Sequence, residues 1–219
     1  NREEDCLSVH YVFVHGWGTD PDFWERLRPH FPEKQAHFLN LGFIGSDQRI
    51  ENHKAPSSSK RVYITHSLGT LWALKNKGAD IDVLIAINGF YRFNSFSDER
   101  SLQAMKLRLE RDPIPQMGAF WKKCGITNDK AHLNLQRLQE GMVWISEISA
   151  AKELGAHARP VLCLCGDADP ILDHDTMKRE WSGFPVKTLI GGGHIMPWSH
   201  PEWCANTIKE FVGGLKLER

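Results

Sequence analysis

The sequence predicts an α/β fold: a mostly parallel central sheet flanked by helices, forming a single domain over 1–219 with a helical segment inserted at 89–159. Three observations predict it. Short apolar, β-branched runs alternate with segments of helical periodicity, the pattern of βαβ units. One such run, Val62-Tyr63-Ile64, passes through Thr65-His66-Ser67-Leu68-Gly69 directly into a helical pattern. From Gly89 to about Arg159 there is no strand pattern, only amphipathic segments.

In chain order, Val9 to Val14 is a nearly continuous apolar run, as expected of a strand buried on both faces. It enters His15-Gly16-Trp17-Gly18, where two glycines permit a sharp turn with an exposed amide. Pro21 to His30 reads as a short helix, with Asp20 as N-cap and proline at the first helical position. Ala36 to Leu41 is the next strand, and the polar, turn-rich 42–59 is loop. After the run ending at Ser67, Leu68 to Lys77 is helical and Asp82 to Asn88 is another buried strand. Within the inserted segment, Ser101–Arg111, Pro115–Lys123, Lys130–Glu140 and Met142–Leu154 read as four helices cut at Asp112-Pro113, Gly125 and Gly141. The sheet resumes at Pro160–Cys165. Asp173–Trp181 is helical, Pro185–Ile190 is the last strand, and Pro201–Val212 is the final helix.

Composition narrows the function. With 27 basic and 27 acidic residues, nothing points to nucleic acid or to a charged membrane surface. No apolar run approaches the roughly 20 residues that span a bilayer, and Asn1 to Ser8 does not resemble a signal peptide. The five cysteines are odd in number and lack metal-ligand spacing. Cys163 and Cys165, two apart on a strand, share a face and cannot readily bridge. Buried thiols in a reducing, cytoplasmic compartment are the expectation.

The chemistry centres on Ser67. A strand that turns abruptly into a helix at a serine lifts the hydroxyl clear of the backbone. The next amide, that of Leu68, then points from the helix N-terminus to the same spot. The usual pattern is G-x-S-x-G, and here Thr65 replaces the first glycine. A serine nucleophile needs a base, and a histidine base needs an acid to hold its tautomer. Asp169 follows one strand and His194 the next, so both fall at the sheet edge where Ser67 stands. Asp167 competes with Asp169, which is preferred because Pro170-Ile171 turns the chain outward there. Asp173 and Asp175 read as helix-start residues. His15 supports its loop, His66 lines the site or faces solvent, and His200 opens the last helix. The turn at Trp17 can supply a second amide for an oxyanion.

Taken together, His15-Gly16-Trp17-Gly18, Ser67-Leu68-Gly69, Gly166-x-x-Asp169, Gly193-His194 and His200-Pro201 resemble the α/β-hydrolases over nearly the whole chain. More narrowly, the sequence resembles the pimeloyl-acyl-carrier-protein methyl ester esterases of biotin synthesis, with His-Gly-Trp-Gly the most suggestive motif. The resemblance implies an oxyanion hole from the Trp17 and Leu68 amides and a Trp17 side chain bordering the acyl pocket. It also implies a substrate-lining stretch at Phe120-Trp121-Lys122-Lys123-Cys124. The chain is short for the family, so the early antiparallel strands are expected to be reduced or absent.

From Arg92 to Glu140 nine basic residues face six acidic ones in a chain that is neutral overall. This is either a solvated helical surface or a docking face for an acidic carrier protein, with Arg108, Arg111 and Lys122 as contacts. The expected reaction is ester hydrolysis through an acyl-enzyme by a monomer, without metal or organic cofactor. The candidate substrate is the methyl ester of pimeloyl-acyl carrier protein. A general short-chain carboxylesterase or thioesterase, a carbon–carbon bond hydrolase and a non-catalytic binding module are the alternatives. A dehalogenase would carry a carboxylate at the position of Ser67.

Overall fold

A computed structural model of the chain describes residues 8–45, 59–127, 132–156 and 158–215. Most of the loop expected over 42–59, and Cys6, lie outside the described residues. The strands are β1 Val9–Val14, β2 Ala36–Leu39, β3 Lys60–His66, β4 Val83–Ile87, β5 Val161–Gly166 and β6 Val186–Leu189. They form one sheet in the order β2-β1-β3-β4-β5-β6. Every adjacent pair is parallel. All carboxyl ends therefore meet at one edge, and the strand order reverses at β1, the place where such sheets bind ligands.

The apolar runs lack alternation because both faces of the sheet are covered. Val12, Val14, Tyr63, Leu84, Ala86, Cys163 and Cys165 belong to one core layer. Phe13, Val62, Ile64, Ile85, Ile87, Leu162 and Leu164 belong to the other. Cys163 and Cys165 thus share a face, and both are free and buried, as are Cys124 and Cys204. Helix α1, Leu68–Lys77, covers the first face through Leu71, Trp72 and Leu74. The first core layer also holds Met177 of α6, His174–Glu180. The second face is covered by α8, Pro201–Gly214, through Cys204, Ala205, Ile208 and Val212. A single turn, α7 at Met196–Ser199, precedes α8 and has no counterpart in the sequence reading.

The segment Pro21–His30 is not one helix but two 3-10 turns, Pro21–Trp24 and Arg28–His30. Asp20 caps the first, accepting from the Asp22 amide. Pro29 and Pro32 stop an α-helix from propagating: each lacks an N–H and disfavours helical backbone in the residue before it.

Between β4 and β5 the chain runs through α2 Glu99–Arg111, α3 Pro113–Cys124, α4 Leu135–Glu147 and α5 Ala151–Gly155. Asp98 caps α2 through the Ser101 amide. Asp112-Pro113 separates α2 from α3, as its residue types predict. Gly125 ends α3 with φ +83°, its N–H reaching the Trp121 and Lys122 carbonyls. Gly141 does not break a helix, contrary to expectation, and α4 runs straight through it. A Cβ at Gly141 would stand 2.4 Å from Trp17 Cδ1 and 2.9 Å from Phe43 Cε1. The glycine serves close packing there, not termination. Among the described residues no helix is long and apolar enough to cross a membrane.

Candidate active site

Ser67 sits between β3 and α1 with φ +53° and ψ −125°, in the left-handed region that non-glycine residues rarely adopt. Such strain persists only where the surroundings over-determine it. Here α1 begins against the end of β1. A Cβ on Gly69 would lie 2.4 Å from the Val14 carbonyl oxygen and 2.5 Å from that of His15. These are backbone atoms that cannot yield, so the small residue two positions after the serine is obligatory.

Thr65 occupies the position where a glycine is usual, and the structure shows how it fits. Its buried hydroxyl donates to the Ile85 carbonyl at 3.1 Å and lies 2.7 Å from the Thr70 hydroxyl. The space for Thr70 comes from Gly89, where a Cβ would stand 2.1 Å from Thr70 Oγ1. A hydroxyl pair between strand and helix replaces the missing glycine.

Beyond β6, His194 is 2 % exposed. Its Nδ1–H donates to Asp169 Oδ2 at 2.8 Å, and the Ser67 hydroxyl donates to its Nε2 at 3.2 Å. Asp169 Oδ1 accepts the Ile171 and Leu172 amides at 2.7 and 3.1 Å, which fixes the carboxylate plane. The three residues come from the ends of β3, β5 and β6. Asp167 is exposed and accepts from the Gly191 amide at 2.6 Å, tying the loop after β6. Asp173 caps α6 and Asp175 pairs with Lys178.

Two further residues hold His194, and one of them, Asn88, carries no signal in the sequence. Asn88, just past β4, donates through Nδ2 to the Gly193 and His194 carbonyls at 2.8 and 2.9 Å. Its Oδ1 accepts the Gly166 amide at 3.1 Å. Its φ of +42° is a conformation asparagine tolerates better than most. His66 is the other. It does not face solvent: it is 2 % exposed, stacked on Phe23, and its Nε2–H donates to the His194 carbonyl at 2.8 Å. Its Nδ1 is buried without a partner among the described residues. Burial, then the neighbouring His194, hold its pKa well below 6.5, so the ring is neutral.

The loop after β1 lies against Ser67. A Cβ on Gly16 would be 2.9 Å from His66 Nδ1 and 3.0 Å from Ser67 Cβ. The Gly16 carbonyl accepts from His15 Nδ1 at 3.0 Å and from the Thr19 hydroxyl at 2.9 Å. The Leu41 amide donates to His15 Nε2, which fixes that tautomer. His15 thus supports its loop as expected. In a trans peptide the N–H points opposite to the C=O, so holding the Gly16 carbonyl also sets the direction of the Trp17 amide. Leu68 is the first residue of α1, where an N–H has no intrahelical acceptor.

Ser67 opens into a cavity of about 630 Å³. Trp17, Phe90 and Ile171 line it at the sheet edge, and Leu102, Met105, Phe120, Met142 and Ile145 line it from α2, α3 and α4. Arg108, Arg111 and Lys123 line its solvent side, and all three are exposed. Arg111 is paired with Asp112 at 2.7 Å. Three residues of the expected lining stretch stand elsewhere, and one of them, Cys124, is buried in the second core layer. Lys122 is exposed but outside the lining, because Lys123, one step around the helix, takes that direction. Trp121 turns inward, 6 % exposed, and donates through Nε1 to the Gly18 carbonyl at 2.8 Å instead of walling the cavity.

Solved structures share this architecture. A bromoperoxidase from Bacillus anthracis aligns with a TM-score of 0.77 at 14 % identity, over 94 % of this chain and 92 % of its own. The esterase EaEST from Exiguobacterium antarcticum aligns at 0.74 and 12 %, over 95 % and 93 %. An epoxide hydrolase from Bacillus megaterium aligns at 0.65 and 13 %, over 94 % of each chain. No curated protein sequence matches the chain. The profile of the alpha/beta hydrolase family matches residues 11–207. That span takes in every strand end around Ser67, from the Trp17 loop to His194, and the chain belongs to the alpha/beta hydrolase family.

Proposed function

We propose that the protein is a serine carboxylic ester hydrolase. The observation that carries this reading is the unbroken hydrogen-bond chain from Ser67 through His194 to Asp169, opening into an apolar cavity. Ser67 Oγ attacks the ester carbonyl carbon as its proton passes to His194 Nε2. Asp169 orients the ring and offsets the imidazolium charge. The Trp17 and Leu68 amides receive the oxyanion, each donor contributing about 3 kcal/mol to lowering the barrier. The alcohol leaves with the proton from His194. Water, activated by the same ring, then releases the acid from Ser67.

The finer reading is that the substrate is the methyl ester of a pimeloyl chain on acyl carrier protein, hydrolysed to pimeloyl-acyl carrier protein and methanol in the cytoplasm. The apolar lining suits an acyl chain. Arg108, Arg111 and Lys123 at the solvent side suit an acidic carrier. A general short-chain carboxylesterase is the second reading, favoured by the esterase among the structural neighbours.

One experiment separates them: the protein is mixed with methyl-pimeloyl carrier protein or with p-nitrophenyl butyrate, and products are followed by mass and absorbance. The Ser67→Ala variant should lose on the order of a millionfold in turnover on either substrate. Near-normal hydrolysis by it would refute the nucleophile. Arg108→Glu with Arg111→Glu should slow only the carrier-bound substrate, by tenfold or more. Equal rates on both substrates would refute the carrier reading and leave a general esterase.

A further inference from the structure

We infer that Trp121 is a positioning residue for the oxyanion amide, and that the helices between β4 and β5 hold the Trp17 loop in its working geometry through two indole hydrogen bonds. This rests on the reading above, in which the Trp17 N–H receives the oxyanion.

The sheet-side restraint on the loop acts at the Gly16 carbonyl through His15 and Thr19. The other side of the same turn is held from α3 and α4. Trp17 Nε1 donates to the Leu138 carbonyl of α4 at 2.9 Å, across 121 residues of sequence. Trp121 Nε1, from α3, donates to the Gly18 carbonyl at 2.8 Å, across 103 residues. Both indoles are buried, at 3 % and 6 % exposure, so neither bond competes with bulk water.

The two glycines at these contacts are shaped by them. A Cβ on Gly141 would lie 2.4 Å from Trp17 Cδ1. Gly18 has φ +69°, and a Cβ there would lie 2.4 Å from Met117 Cε of α3. Phe120 adds an edge contact to Trp17 at 4.9 Å between ring centroids. Gly16, Trp17 and Gly18 are therefore gripped between sheet and helices. The Trp17 amide cannot rotate without breaking a bond on one side or the other.

A wall residue contributes to substrate binding in the ground state. A residue that aims an oxyanion donor contributes only as negative charge develops. The two roles predict different kinetics. Trp121→Phe keeps a ring and deletes the donor. It should lower kcat on p-nitrophenyl butyrate about tenfold or more with KM within twofold. Affinity for an alkyl trifluoromethyl ketone, which adds to serine as a tetrahedral oxyanion, should weaken by the same factor as kcat. Affinity for butyrate should not change. Trp144→Phe, in α4 but outside the cavity lining, controls for loss of a tryptophan as such.

Unchanged kcat and ketone affinity in Trp121→Phe would overturn the inference while leaving the Ser67 chemistry standing. A raised KM alone would make Trp121 a wall and overturn it as well. If wild-type protein neither hydrolyses esters nor is labelled at Ser67 by a fluorophosphonate, the parent reading fails and this inference falls with it. Should Trp121→Phe not fold, Gly141→Ala disturbs the other indole bond and must show the same parallel loss in kcat and ketone affinity.

Discussion

Replacing Gly141 by alanine sets two physical terms of opposite sign against each other. Glycine inside a helix costs about 1 kcal/mol relative to alanine, so the substitution should stabilise α4 wherever there is room. At Gly141 there is none. The new Cβ would stand 2.4 Å from Trp17 Cδ1, 2.7 Å from its Nε1 and 2.9 Å from Phe43 Cε1. Carbon atoms rest at about 3.5–4.0 Å, so ring or helix must shift by roughly 1 Å. Neither ring is a flexible tip: Phe43 is fully buried, and Trp17 is held to Leu138 at 2.9 Å. Overpacking of this kind costs about 1–3 kcal/mol, and loss of the indole bond adds about 1 kcal/mol. The net expectation is destabilisation by about 1–3 kcal/mol after the helix gain is subtracted. Urea denaturation should show a lower midpoint with an unchanged slope. Gly118 is the internal comparison, for it is exposed in α3 with nothing within 4 Å of its would-be Cβ. Gly118→Ala should raise stability by about 1 kcal/mol. If both variants gain stability alike, the Trp17 ring moves aside freely, and Gly141 is not there to admit it.

Two other predictions concern the support of His194. His66 is buried and neutral, with its pKa held well below the 6.5 of the unfolded chain. As pH falls through 6.5 the unfolded chain gains a proton there and the folded chain does not, so stability present above that pH is lost below it. Between about pH 7.5 and 5.5 wild type should lose about 1.4 kcal/mol more stability than His66→Gln, measured by urea midpoints at the two pH values. An equal loss in both proteins would show that His66 does not stay neutral. Asn88→Asp removes both N–H groups that tether the Gly193 and His194 carbonyls but keeps the acceptor for Gly166. Turnover on p-nitrophenyl butyrate should fall tenfold or more with KM nearly constant. Unchanged turnover would show that the His66 bond alone suffices to place His194.

Residue patterns alone specify the layered fold and the places where chemistry could sit. Short β-branched runs such as Val83-Leu84-Ile85-Ala86-Ile87 read as strands covered on both faces, and Thr65–Gly69 reads as a strand-to-helix turn in five consecutive residues. These signals are local: backbone periodicity and turn chemistry act over a few residues, so spacing alone reveals them. Tertiary structure decided what depends on partners far along the chain. Gly141 reads as a helix breaker until Trp17 arrives from 124 positions earlier to fill its missing side chain. Trp121 reads as a pocket wall until the Gly18 carbonyl captures its indole. Only the turn at Pro170-Ile171 favours Asp169 over Asp167 in the sequence, whereas the Gly191 amide and the His194 ring divide them outright. Asn88 looks like an ordinary strand end, yet its amide ties the carboxyl end of β5 to the loop after β6 through three hydrogen bonds. A buried polar group must find its partner wherever the fold supplies one, and no local pattern of residues says where that will be.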